Sequence, residues 1–92
     1  MARRSKLEVY MDVLWVIKGG TRKPTRIMYG ANLSWKPLQS VLKSLVSQGL
    51  ITELDASDSR DKRTNTVYEL TQKGENVIKY FNQARHLLEI ER

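Results

Sequence analysis

The apolar positions of this chain change period along its length, and each change marks an element. Leu7, Tyr10, Met11, Leu14 and Ile17 recur at intervals of three and four, the repeat of one helix face, and Val13 and Val16 widen that face. Ser5-Lys6-Leu7-Glu8 has capping-box spacing, so the helix is expected to begin at Ser5. It runs to about Lys18, where Gly19-Gly20 stops it. Thr21 to Lys23 forms a basic connector able to add a small edge strand. Pro24 and Thr25 suit the start of a second, shorter helix through Ala31, because proline lacks an N–H that a first turn would leave unpaired. Asn32-Leu33-Ser34 reads as a turn, with Leu33 entering the core and Ser34 capping the next helix. That third helix extends from Trp35 to about Gln48 and ends at Gly49. Its buried face is Leu38, Val41, Leu42, Leu45 and Val46, and Pro37 is tolerated within its first turn.

The period then shortens to two. Leu50–Leu54 and Thr66–Leu70 alternate as strands do, and the polar stretch Asp55–Asn65 between them makes a long-tipped hairpin. A final helix starts near Thr71 and runs almost to Arg92. The order is α, (β), α, α, β, β, α. An α+β chain, mainly α, is expected: the order resembles a winged helix-turn-helix over residues 1–70, followed by a long C-terminal helix over 71–92. Val77, Phe81, Ala84 and Leu88 step by four, three and four, a short heptad-like seam with Ile78, Leu87 and Ile90 beside it. A helix over the whole segment is roughly 33 Å long at about 1.5 Å per residue, so its distal half projects from so small a body. The expected remedy is a homodimer joined through Val77, Phe81, Ala84, Leu87 and Leu88. The alternative is that this face folds back on the first helix.

Charge narrows the choice of partner. The 92 residues suffice for one domain and carry a net charge of +6. Residues 1–54 hold nine Lys/Arg against three Asp/Glu, 55–70 hold three against four, and 71–92 hold four against three. The basic excess therefore coincides with the helix-turn-helix and favours a polyanion, either nucleic acid or an acidic membrane surface. The absence of cysteine excludes disulfides and thiolate metal sites. The longest apolar run, Val13–Ile17, is too short to span a membrane, and the basic start lacks the apolar stretch of a signal peptide. A cytoplasmic protein is expected.

The candidate chemistry lies on the third helix. Opposite its buried face stand Lys36, Gln39, Ser40, Lys43 and Ser47, and no carboxylate occurs from Asn32 to Leu50. Lys and Gln both neutralise phosphates and reach base edges in a major groove, as a recognition helix requires; an ordinary solvated face is the alternative. Thr25, Arg26 and Ser34 fall at helix N-termini, where a hydroxyl, a guanidinium and free N–H groups can hold phosphate, although simple capping accounts for them equally. Arg22 and Lys23 are placed to reach flanking backbone. Trp35 serves either packing or base contact, and Trp15 core or interface. At the hairpin tip Arg60, Lys62 and Arg63 alternate with Asp58 and Asp61, so the arginines are held by local pairing and offered to a minor groove, or the tip is a solvated loop. Catalysis is not expected: His86 is the sole histidine, no glycine pair forms a phosphate loop, and no metal-ligand spacing occurs. No cofactor and no small-molecule ligand are implied. Asn32-Leu33-Ser34 matches a glycosylation sequon by chance.

Asp58-Ser59-Arg60-Asp61-Lys62-Arg63 resembles the Asp-x-Arg-Asp-x-Arg wing signature of multiple-antibiotic-resistance-type (MarR) regulators, and Thr71-Gln72-Lys73-Gly74-Glu75 is similar to theirs as well. Thr25-Arg26-Ile27-Met28-Tyr29 and Leu45-Val46-Ser47-Gln48-Gly49-Leu50-Ile51 resemble small archaeal winged-helix proteins over nearly the whole chain. That second resemblance implies double-stranded DNA as partner, a chromatin-type or regulatory role, and dimerisation through a C-terminal antiparallel coiled coil. A winged-helix module that docks another protein is the rival reading. Single-stranded nucleic acid ranks third, with only Trp35 and Tyr29 as stacking candidates.

Overall fold

The computed structural model describes residues 4–55 and 66–88. Helices α1 (Lys6–Lys18), α2 (Pro24–Gly30) and α3 (Trp35–Ser47) precede strands β1 (Ile51–Asp55) and β2 (Thr66–Leu70), and α4 (Gln72–Leu88) follows. The strands form an antiparallel pair in which Ile51 faces Leu70 and Glu53 faces Tyr68. The expected mainly helical winged helix-turn-helix is present. The expected edge strand at Thr21–Lys23 is reduced to one hydrogen bond, from the Tyr68 amide to the Arg22 carbonyl at 3.0 Å. Among the described residues no helix is long and apolar enough to cross a membrane.

The three helices of the N-terminal half end in the same way. After α1, α2 and α3 the next residue but one from the helix has a positive φ: Gly20 at 105°, Asn32 at 54° and Gly49 at 76°. Each then returns paired N–H groups to the last turn: Thr21 to Val16 and Gly20 to Ile17, Leu33 to Met28 and Asn32 to Tyr29, Leu50 to Leu45 and Gly49 to Val46. This is the Schellman arrangement, which satisfies helix-end carbonyls and reverses the chain. Asparagine tolerates the left-handed conformation, so it serves at the turn between α2 and α3. The N-termini differ. Ser5 and Glu8 form the predicted capping box at α1, whereas Ser34 occupies the N-cap position of α3 without a side-chain cap hydrogen bond.

The core gathers one face of each helix. Leu14, Ile27, Leu38, Leu45, Ile51 and Ile78 are at most 2% exposed, and Val13 is wholly covered. Two sequence expectations fail here. Leu7 is 59% exposed on the first turn of α1, and Val46 is 36% exposed at the edge of the α3 face. Trp15, expected in core or interface, is 37% exposed. The first half of α4 belongs to this same core: Ile78 is buried, and Val77 and Phe81 pack against the cluster. Ala84, Leu87 and Leu88 are exposed. Ile90 and the end of the expected helix lie outside the described residues.

Two devices fix α3 relative to its neighbours. At one end Arg4 donates to the carbonyls of Ala31 and Asn32, both at 2.7 Å, while pairing with Asp12 at 2.8 Å. It thereby places a cation on the C-terminus of α2, where the helix dipole favours one. At the other end the Thr71 hydroxyl donates to the Gly49 carbonyl at 2.6 Å and accepts from the Gly74 amide at 3.1 Å. Lys73 donates to the Gln48 carbonyl at 2.9 Å, and the Thr71 amide to the Leu50 carbonyl at 3.1 Å. The start of α4 is thus hydrogen-bonded to the end of α3. The closeness of this junction demands glycine at 74, where a Cβ would lie 2.1 Å from the Leu50 carbonyl oxygen.

Gly74→Ala is therefore expected to lower stability by about 3 kcal/mol, the upper part of the range for overpacking, as read by urea unfolding. Gly19→Ala, whose Cβ would meet nothing closer than 3.5 Å, should change stability by less than about 1 kcal/mol.

Candidate nucleic-acid interface

Helix α3 presents two contrasting faces. Leu38, Val41, Leu42 and Leu45 are buried, while Lys36, Gln39, Ser40, Lys43 and Ser47 are exposed. Every polar residue assigned to this face from sequence is on it. The absence of acid extends further than the helix: from Val13 to Thr52 the chain holds six Lys/Arg and no carboxylate. The second half of α1 and all of α2 and α3 therefore carry cations with no acid of their own.

A groove of about 750 Å³ runs between α3 and the hairpin. Lys23 and Thr25 from the start of α2 line it, together with Trp35, Gln39 and Lys43 of α3. Glu53 and Tyr68, opposite one another in the β1–β2 pair, form its far side with Thr66. Leu42 and Val46 line it as well, which explains the partial exposure of Val46. The fold thus brings Lys23, Thr25, Trp35, Gln39 and Lys43 into one concavity. Lys36, Ser40, Arg26 and Ser34 are exposed outside it. Arg22 is turned to a separate cleft, where it forms an ion pair with Glu69. Arg60, Lys62 and Arg63, with Asp58 and Asp61, lie outside the described residues.

Two residues of the groove were not singled out from sequence. The Tyr68 hydroxyl donates to Glu53 Oε2 at 2.9 Å. Burial of the ring, then the hydrogen bond and charge of Glu53, push the Tyr68 phenol up to about 12 from the ordinary 10.0. The phenol therefore remains a donor across the physiological range and holds the carboxylate in place. The strand alternation contained the signal, since Glu53 is two residues from the buried Ile51 and so shares its side of the strand. Arg4 was also missed, because its carbonyl partners are remote in sequence. Trp35 is 42% exposed and Tyr29 78% exposed.

The Tyr68 phenol, raised first by burial and then by Glu53, makes stability depend on alkaline pH. Below pH 10 the phenol is protonated in both states; between about 10 and 12 the unfolded chain loses the proton while the folded chain keeps it, so the contribution declines over that window. Tyr68→Phe should cost about 0.5–1.5 kcal/mol at neutral pH. Denaturant unfolding of both proteins from pH 8 to 12 should show this difference closing as pH rises.

Comparisons with known proteins agree with this architecture. The chain is 34% identical over 88 residues to the uncharacterized protein MJ0287 of Methanocaldococcus jannaschii, covering 96% of this chain and 77% of that one. Its structure is similar to that of Sso10a-2, a DNA-binding protein from Sulfolobus solfataricus, with a TM-score of 0.70 and 27% identity over 94% of this chain and 86% of the other. It is also similar in fold to a mutant MarR from E. coli complexed with operator DNA, with a TM-score of 0.71 and 23% identity over 83% of this chain; the match spans 53% of the MarR chain, about half its length. The winged helix-turn-helix family model matches residues 3–89. The chain belongs to the winged helix-turn-helix family.

Proposed function

We propose that the chain binds double-stranded DNA as a winged-helix protein without catalytic activity, acting as a transcriptional regulator or chromosome-associated protein in the cytoplasm. The observation that carries this reading is the exposed face of α3, on which Lys36, Gln39, Ser40 and Lys43 stand together in a carboxylate-free stretch. Similarity to Sso10a-2, described as a DNA-binding protein, points the same way.

In this reading α3 enters the major groove. Its long polar side chains meet base edges, and Thr25, Arg26 and Ser34 meet the phosphates on either side. Lys23 reaches backbone from the groove rim, and Trp35 packs against sugar or base at the helix start. Arg22 contributes only after leaving Glu69, an exchange that costs little for an exposed pair. The hairpin arginines Arg60, Arg63 and the neighbouring Lys62 add contacts to the adjacent backbone or minor groove.

The reading includes a homodimer through α4. Val77 and Phe81 are half-buried against the protein's own core, so the partner's share falls on Ala84, Leu87 and Leu88. Leu87 and Leu88 are 84% and 69% exposed on the distal turns. Covering each such side chain stabilises by about 1.5–3 kcal/mol, which favours association. Two copies related by a two-fold axis then present two recognition helices to inverted half-sites.

Lys43→Glu should weaken duplex binding by more than about tenfold, because a phosphate or base contact is lost and a repulsion added. Unchanged affinity at moderate salt would remove α3 from the interface. Sedimentation at micromolar concentration should give a dimer for the wild type and a monomer for Leu87→Ser/Leu88→Ser; a monomeric wild type would exclude the α4 dimer.

A further inference from the structure

Glu53 stands out within the groove beside α3. It is the only carboxylate lining that concavity among the described residues, facing a rim that carries Lys23 and Lys43. It is also the first carboxylate after Asp12, ending the acid-free stretch at the point where the chain crosses from α3 to the far wall. Its position is held: the Tyr68 hydroxyl, from the opposed residue of β2, donates to Oε2 at 2.9 Å. The ring of Tyr68 is itself 8% exposed and part of the core, so the donor is anchored by packing.

We infer that Glu53 is a selectivity residue of the proposed DNA interface, a fixed negative charge that keeps phosphate out of the groove between α3 and the hairpin. The inference rests on the DNA-binding reading and adds to it. Phosphate oxygens are charged and cannot donate, so a carboxylate facing them gains no hydrogen bond and suffers repulsion. The amino groups of cytosine and adenine donate, so a base edge brought to the same place is accepted. Backbone-only binding modes, which let a basic protein slide over any sequence, draw their affinity from phosphate neutralisation. Glu53 penalises those modes in which a phosphate would settle inside the groove, and leaves Lys23 and Thr25 to meet backbone at its rim. It leaves the exposed α3 face, with Lys36 and Ser40, free to dock. The groove thereby separates backbone contacts made by the α2–α3 side from those made by the hairpin.

The test is Glu53→Gln, which retains an acceptor for the Tyr68 hydroxyl and removes the charge. Glu75→Gln serves as the comparison, because it makes the same change in net charge in the separate cleft, where Glu75 pairs with Lys18 at 2.8 Å. Binding to a random-sequence duplex would be titrated over a salt series, with thermal unfolding to establish that both variants are folded. Glu53→Gln should tighten random-duplex binding about threefold, the effect of removing one like charge about 7 Å from a phosphate in water. Its plot of log affinity against log salt should steepen by about one, the signature of one added phosphate contact. Glu75→Gln should do neither. Equal behaviour of the two variants, or weaker binding by Glu53→Gln, overturns the selectivity role while leaving DNA binding intact. A wild-type protein that shows no salt-dependent duplex binding overturns the DNA reading, and this inference with it.

Discussion

Burial of one face of α3 governs how the other elements are arranged. Leu38 and Leu45 are completely covered, and Leu42 nearly so, within a core shared by α1, α2, β1 and α4. Because a helix repeats every 3.6 residues, fixing those positions inside fixes Lys36, Gln39, Ser40 and Lys43 outside. The polar face needs no arrangement of its own. It is whatever the hydrophobic effect leaves in water, and the sequence has filled it with residues suited to a polyanion.

Burial sets the rotation of α3, but its ends must also be held. Arg4 supplies hydrogen bonds at the turn before α3, and Thr71 and Lys73 supply them after it, with Gly74 close against Leu50. These two sets of contacts tie the N-terminal segment to the end of α2 and α4 to the end of α3, each at carbonyls that helices leave unpaired. One consequence bears on the proposed assembly. Helix α4 is seated on the body through Val77, Ile78 and Phe81, so in the proposed dimer the length of α4 beyond them would set the separation of the two recognition helices.

Much of this architecture is legible in the chain. The three-and-four spacing locates α1, α3 and α4, Pro24 locates the start of α2, the Ser5–Glu8 pair locates a cap, and Gly49 locates the end of α3. The exposed residues of α3 can be read directly because periodicity alone decides which face they occupy. What escapes such reading depends on tertiary neighbours. Leu7 and Val46 have the right spacing for burial, but Leu7 stays 59% exposed and Val46 opens onto the groove beside α3. Ser34 has the right identity for a cap and occupies the right place, yet its hydroxyl makes no cap bond. The Val77–Leu88 seam is uniform in sequence, whereas the body covers its first half and leaves the second. Glu53 and Arg4 escape notice because each gains its meaning from a partner distant in sequence.

If α3 and the groove beside it form the surface that meets DNA, a titration of isotopically labelled protein with a short duplex will reveal it in the backbone amide resonances. The largest NMR shifts should cluster at Lys23–Arg26, Ser34–Lys43 and Glu53, with the distal turn of α4 unmoved. Shifts confined to α4, or absent from α3 under conditions where the duplex binds, would place the DNA elsewhere on the molecule.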